Sequence, residues 1–62
     1  MFGDNLKNLR IAAGLSQAQL ADMMGVSSKT VSYWENGYSE PSIAQLGQLK
    51  QALKTEYEDL LD

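Results

Sequence analysis

The chain has 62 residues, a formal net charge of −3, and neither cysteine nor histidine. That length allows one small domain. The missing residue types exclude a disulfide framework or a thiolate metal site, and they remove the commonest general base and the commonest metal ligand. With its carboxylates scattered along exposed faces, the sequence offers no nucleophile–base pair or metal cluster. Enzyme chemistry, a cofactor and a small-molecule ligand are therefore not expected. No apolar run approaches the roughly 18 residues of a membrane span. Residues 1–10 lack the basic start and apolar middle of a signal peptide, so a soluble, cytoplasmic protein is expected. Stability must come from an apolar core, and helices suit a short chain because their contacts are local.

Turn signals divide the chain into five short helical pieces. The first is predicted over about Asp4 to Ala13, with Leu6, Leu9 and Ala13 as its apolar stripe and Gly14 as its stop. The second opens at Ser16, where Ser16 and Gln19 have the spacing of a capping box. Its apolar positions are Ala18, Leu20, Ala21 and Met24, and Gly25 ends it. The third opens at Ser27, a good N-cap, and runs to about Glu35 before the Asn36-Gly37 break. Val31 and Trp34 share its inner face; Ser28, Lys29, Ser32, Tyr33 and Asn36 share the other. After a loop from Tyr38 to Pro41, Ser42 and Gln45 form a second capping box. The stripe predicted for the fourth helix is Ile43, Leu46, Leu49 and Leu53. Thr55 and Glu58 have the spacing of a third box, opening a fifth helix that carries Tyr57, Leu60 and Leu61. Met23, Met24 and Val26 are read as packing residues, and Trp34 as core.

The second and third helices are joined by a tight turn at Gly25-Val26, the signature of a helix-turn-helix. Charge is divided unevenly along the chain. Residues 1–34 carry Lys7, Arg10 and Lys29 against Asp4 and Asp22, a net +1. Residues 35–62 carry Lys50 and Lys54 against Glu35, Glu40, Glu56, Glu58, Asp59 and Asp62, a net −4. The half containing the helix-turn-helix is the one able to face an anionic partner.

The ordered segments L-S-Q-A-Q-L-A (Leu15 to Ala21), G-V-S (Gly25 to Ser27), T-V-S-Y-W-E-N-G (Thr30 to Gly37) and P-S (Pro41, Ser42) resemble the Cro/C1 phage repressor family. Many bacterial regulators of the xenobiotic-response-element type share this pattern. The flanking Leu9-Arg10 and Asp59-Leu60-Leu61 extend the resemblance over essentially the whole chain. It implies an all-α, lambda-repressor-like domain of five short helices over residues 1–62, whose third helix enters the DNA major groove.

On that template Ser28, Lys29, Ser32 and Tyr33 face base edges. Lys29 suits guanine O6 and N7, the serines donate or accept, and Tyr33 either packs on a thymine methyl or reaches a phosphate. Gln17, Ser27, Asn36 and Tyr38 are placed by the resemblance along the phosphate backbone. Gln17 lies at a helix N-terminus, whose free N–H groups favour anions. The resemblance pairs Arg10 with Glu35 as a structural ion pair, although Arg10 could instead lean toward phosphate.

The sequence departs from the family in three ways. Its balance is acidic, Tyr38 stands where many relatives have a cation, and Lys54 stands where many have the glycine that ends helix four. Relatives often dimerise near the fifth helix, so Tyr57, Leu60 and Leu61 are candidate dimer contacts, opposed by nearby Glu56, Glu58, Asp59 and Asp62. The function implied is that of a bacterial or phage transcriptional regulator. It would be a repressor that binds double-stranded DNA as a homodimer on a partly palindromic operator. The alternative is a protein-interaction module, antitoxin- or adaptor-like, that keeps the fold with weak or no DNA binding.

Overall fold

Five helices follow one another in the computed structural model, which describes residues 1–62. They are α1 (Phe2–Ala12), α2 (Gln17–Met24), α3 (Ser28–Asn36), α4 (Ile43–Leu53) and α5 (Tyr57–Leu61). Their starts follow the capping chemistry of the sequence. The Gln19 N–H donates to Ser16 Oγ at 3.0 Å while the Ser16 N–H donates to Gln19 Oε1 at 2.8 Å. Ser42 and Gln45 repeat the arrangement at 3.1 and 2.8 Å. Ser27 accepts from the Thr30 N–H at 3.1 Å. Each such cap satisfies a backbone donor that the helix itself cannot.

Two starts differ from expectation. Helix α1 begins at Phe2, two residues before Asp4, because its first turn is packed against α3 instead of being opened by a side-chain cap. At α5 the third box is shifted by one residue. The Thr55 hydroxyl and the Glu56 N–H both donate to the Asp59 carboxylate, at 3.0 and 3.4 Å. Glu58 takes no part in these bonds.

The first four helices stop by one device. A residue in the left-handed conformation follows each: Gly14, Gly25, Gly37 and Lys54. In each case the next N–H reaches back five residues. Leu15 bonds the Arg10 carbonyl at 3.1 Å, Val26 that of Ala21 at 3.0 Å, Tyr38 that of Tyr33 at 2.9 Å and Thr55 that of Lys50 at 3.1 Å. This is the Schellman motif, which satisfies carbonyls at the helix end and turns the chain sharply. Glycine takes the conformation without a Cβ penalty. Lys54 takes it with φ 53°.

The core collects Leu6 from α1, Leu20, Ala21 and Met24 from α2, Val31 and Trp34 from α3, Leu49 and Leu53 from α4, and Leu60 from α5. Trp34 is core, as its spacing from Val31 predicts. Helix α1 packs on α3 and α5, α2 on α3 and α4, and α4 also on α5. The Asn5 side-chain amide donates to the Leu60 carbonyl at 3.0 Å and fastens α5 to α1. At Gly3 the α1 backbone presses on the end of α3. A Cβ there would overlap the Glu35 carbonyl oxygen and lie 2.9 Å from that of Trp34.

Four apolar positions depart from their predicted roles, and Ala18 is one of them, exposed on α2 while Leu20, Ala21 and Met24 are buried. Ile43 is 88% exposed. At about 100° per residue it lies roughly 120° around α4 from Leu49, so the inward stripe begins with half-buried Leu46. Met23 is exposed for the same reason, since its neighbour Met24 takes the inward position on α2. Ala13 lies beyond the end of α1 and is exposed.

A side chain in the left-handed region costs about 1–2 kcal/mol, part of which glycine gives back through its freer unfolded chain. Lys54→Gly should therefore raise stability by about 0.5–1 kcal/mol, read as a higher urea midpoint with unchanged slope. An unchanged or lower midpoint would show that the strain at Lys54 does not exceed the unfolded-chain entropy that glycine adds.

Candidate nucleic-acid interface

The centre of the site is a buried charge cluster. Arg10 and Glu35 are each 9% exposed. Arg10 Nε donates to Glu35 Oε2 at 2.6 Å and Nη2 to Oε1 at 3.3 Å, a two-point pairing. Arg10 Nη1 donates to the Leu15 carbonyl at 2.8 Å. Gln17 Nε2 donates to Glu35 Oε1 at 3.0 Å. The guanidinium fork matches a carboxylate in shape, which makes such pairs short and directional. The cluster joins the last turn of α1, the α1–α2 turn, the first residue of α2 and the last turn of α3. No fully buried side-chain nitrogen or oxygen lacks a partner. The Arg10–Glu35 pairing agrees with the expectation from sequence; the third member, Gln17, was not anticipated. A polar residue one position past an N-cap gives no signal of what it bonds 18 residues away.

Gln17 nevertheless keeps one Nε2 hydrogen outside that bond, and it stands where the first-turn N–H groups of α2 are free of helical partners. Ser27 is exposed, but its hydroxyl oxygen is engaged with the Thr30 N–H and lies 3.0 Å from Thr30 Oγ1. Asn36 turns its amide back on α3, donating to the Ser32 carbonyl at 2.8 Å and to Ser32 Oγ at 3.3 Å. That bond leaves the Ser32 hydroxyl hydrogen as the group presented outward.

Ser28 and Lys29 are exposed at the start of α3, Ser32 is half-buried, and Tyr33 is 39% exposed. The one carboxylate of α3, Glu35, is turned inward to Arg10, so the outward face carries no negative charge. Lys29 Nζ lies 5.4 Å from the centroid of the Tyr33 ring. The Tyr38 ring meets Tyr33 edge to face, with centroids 5.6 Å apart and planes at 84°. Tyr38 is otherwise exposed.

The candidate dimer contacts separate. Leu60 is 0% exposed and belongs to the core, so it presents nothing to a partner. Helix α5 has one inward position per turn, and Leu60 is where it docks on α1. Tyr57 and Leu61 remain at the surface. Lys50 Nζ lies 5.2 Å from the Tyr57 ring centroid and 3.9 Å from Glu56 Oε2.

The sequence matches the helix-turn-helix family over residues 6–60. The chain belongs to that family, in its Cro/C1-type branch, and the fold is lambda-repressor-like. Among curated relatives it is 34% identical over 61 residues to YonR, a SPbeta prophage-derived HTH-type transcriptional regulator of Bacillus subtilis. That alignment covers 98% of this chain and 56% of YonR. Across the curated relatives it matches, the chain spans between 29% and 56% of their length. The P22 c2 repressor, solved in complex with a synthetic operator, superposes with a TM-score of 0.92 at 32% identity, covering 100% of this chain and 94% of that one. The same fold also forms part of the hydroxypropylphosphonic acid epoxidase of S. wedmorenis. There the TM-score is 0.89 and the identity 35%, with 95% of this chain covered but only 31% of the enzyme. The fold therefore does not by itself name an activity.

Leaving one partner of a buried ion pair uncompensated costs about 3–5 kcal/mol, whereas replacing both with apolar groups is often neutral. Arg10→Met alone should lower stability by that amount. Combining it with Glu35→Leu should restore most of the loss in thermal or urea unfolding. Equal losses in the single and double variants would show that the pair contributes favourably in its own right.

Proposed function

We propose that residues 1–62 form the double-stranded DNA-binding domain of a transcriptional regulator. In this reading it is a repressor that occupies a partly palindromic operator as a homodimer and occludes a promoter. The observation that carries the reading is the outward face of α3. It is free of carboxylate, presents Ser28, Lys29, Ser32 and Tyr33 together, and is fixed beside the N-terminus of α2 by the buried Arg10–Glu35–Gln17 cluster. An α-helix fits the major groove, where every base pair has a distinct pattern of donors and acceptors. The four outward residues take the base edges. Gln17, Ser27, Asn36 and Tyr38 flank them and meet phosphate, Asn36 after releasing Ser32.

Few cations are available for phosphate neutralisation, so each monomer binds weakly. Two half-sites about one helical turn, roughly 10 bp, apart supply the missing affinity. Tyr57 and Leu61 provide the exposed apolar surface for the dimer. The α5 carboxylates oppose one another across a two-fold axis and make assembly dependent on DNA. The net charge of −3 favours a second reading, an interaction module for another protein.

Selection from a random duplex library at two salt concentrations separates the two. Enrichment of a two-fold symmetric site, with affinity falling as salt rises, is the expected result. Salt-insensitive trace binding without enrichment would sink the operator reading and leave the interaction module. On the enriched site Lys29→Ala should weaken binding by about 1–3 kcal/mol and relax the preference at one base pair.

A further inference from the structure

Tyr33 and Tyr38 are the one aromatic pair on the outward side of α3, and the helix terminus builds it. The Schellman bond from the Tyr38 N–H to the Tyr33 carbonyl, 2.9 Å long, folds the chain back so that the two side chains meet. A contact between these two positions commonly accompanies the motif, usually as a buried apolar patch. Here both members are exposed and the contact lies beside the outward face. Lys29, one turn earlier, rests its ammonium on the same Tyr33 ring. The ring is thus held by two neighbours, one from the helix and one from the loop, and 39% of the residue is open.

The major groove is lined with hydrogen-bonding groups and has one apolar feature, the 5-methyl group of thymine. An aromatic ring brought against any other base edge strips water from polar atoms and returns no hydrogen bond. Against a methyl group it gains contact with no such loss. We propose that Tyr33 is a specificity-determining residue that reads a thymine 5-methyl group through its ring. Tyr38 is a positioning residue that holds that ring through the edge-to-face contact. The proposal rests on the operator reading above. It commits Tyr33 to a base instead of a phosphate, and gives the ring of Tyr38 a task separate from its hydroxyl.

The test uses the enriched operator with each thymine replaced singly by deoxyuridine, which removes the methyl group alone. Affinity is measured by fluorescence anisotropy. One position should lose roughly fourfold in affinity, the amount corresponding to one buried methyl-sized group. Tyr33→Ala should bind the thymine and uracil versions of that position equally, and Tyr33→Phe should retain the difference because it keeps the ring. Tyr38→Ala should shrink the difference while its far-ultraviolet dichroism and Trp34 fluorescence match the parent. A methyl-sensitive position that survives Tyr33→Ala, or the absence of any such position, would overturn the proposal and leave the operator reading intact. So would loss of the difference in Tyr33→Phe, since the hydroxyl would then be the acting group. Tyr38→Ala with full methyl discrimination would overturn the positioning role. Failure to enrich any operator would overturn both readings together.

Discussion

The geometry of the domain depends on the Glu35 carboxylate. It accepts from Arg10 twice and from Gln17 once, and Arg10 also donates to the Leu15 carbonyl. A carboxylate this buried is tolerated only when its oxygens are satisfied, and its donors come from two other helices, Arg10 at the end of α1 and Gln17 at the start of α2. Meeting that requirement sets the end of α3 against the end of α1 and the start of α2. The outward face of α3 and the N-terminus of α2 thereby hold a fixed relation, which the proposed operator reading requires because base and phosphate groups of a duplex also have fixed spacing. Gly3 reinforces the arrangement from the other side. It lets the first turn of α1, the positive end of its dipole, press on the carbonyls that form the negative end of α3.

Much of this was legible in sequence because it is local. Ser16 with Gln19 and Ser42 with Gln45 announce their helices through bonds three residues long, and Gly14, Gly25 and Gly37 announce their ends through a backbone angle that glycine takes freely. Val31 and Trp34 point inward by simple periodicity. What escaped reading depends on distance or on rotation. Gln17 bonds Glu35 across 18 positions, and Asn5 reaches Leu60 across 55. Ile43 fits an i, i+3 pattern with Leu46, yet successive steps of three drift around the helix until the first member leaves the buried face. Leu60 and Leu61 are both apolar at a short terminal helix, and only the docking on α1 distinguishes which of them is core. The Tyr33–Tyr38 contact is not legible in sequence, because the identity of a loop residue does not say where the Schellman turn delivers its ring.

The four helix ends show one backbone solution used for different tasks. After α1 it brings Leu15 to Arg10 and so supplies the cluster with a carbonyl acceptor. After α2 it delivers the three-residue turn that sets α3 on its course. After α3 it places Tyr38 on Tyr33. After α4 it does the same turning with Lys54, at a cost in backbone strain that the other three avoid. A domain this small has few long-range contacts to spare, so terminating each helix sharply is what lets five short segments close around one core.

The carboxylates of α5 lie on an element that packs on α1 and α4, whereas the uncharged and cationic face of α3 belongs to the α2–α3 half. Charge is thus uneven along the chain, net +1 over residues 1–34 and net −4 over residues 35–62. Near a polyanion such a body is repelled on average but also feels a torque, and the torque turns its acidic end away. Orientation is then partly selected before contact, so encounters that do occur are enriched in those with α3 leading.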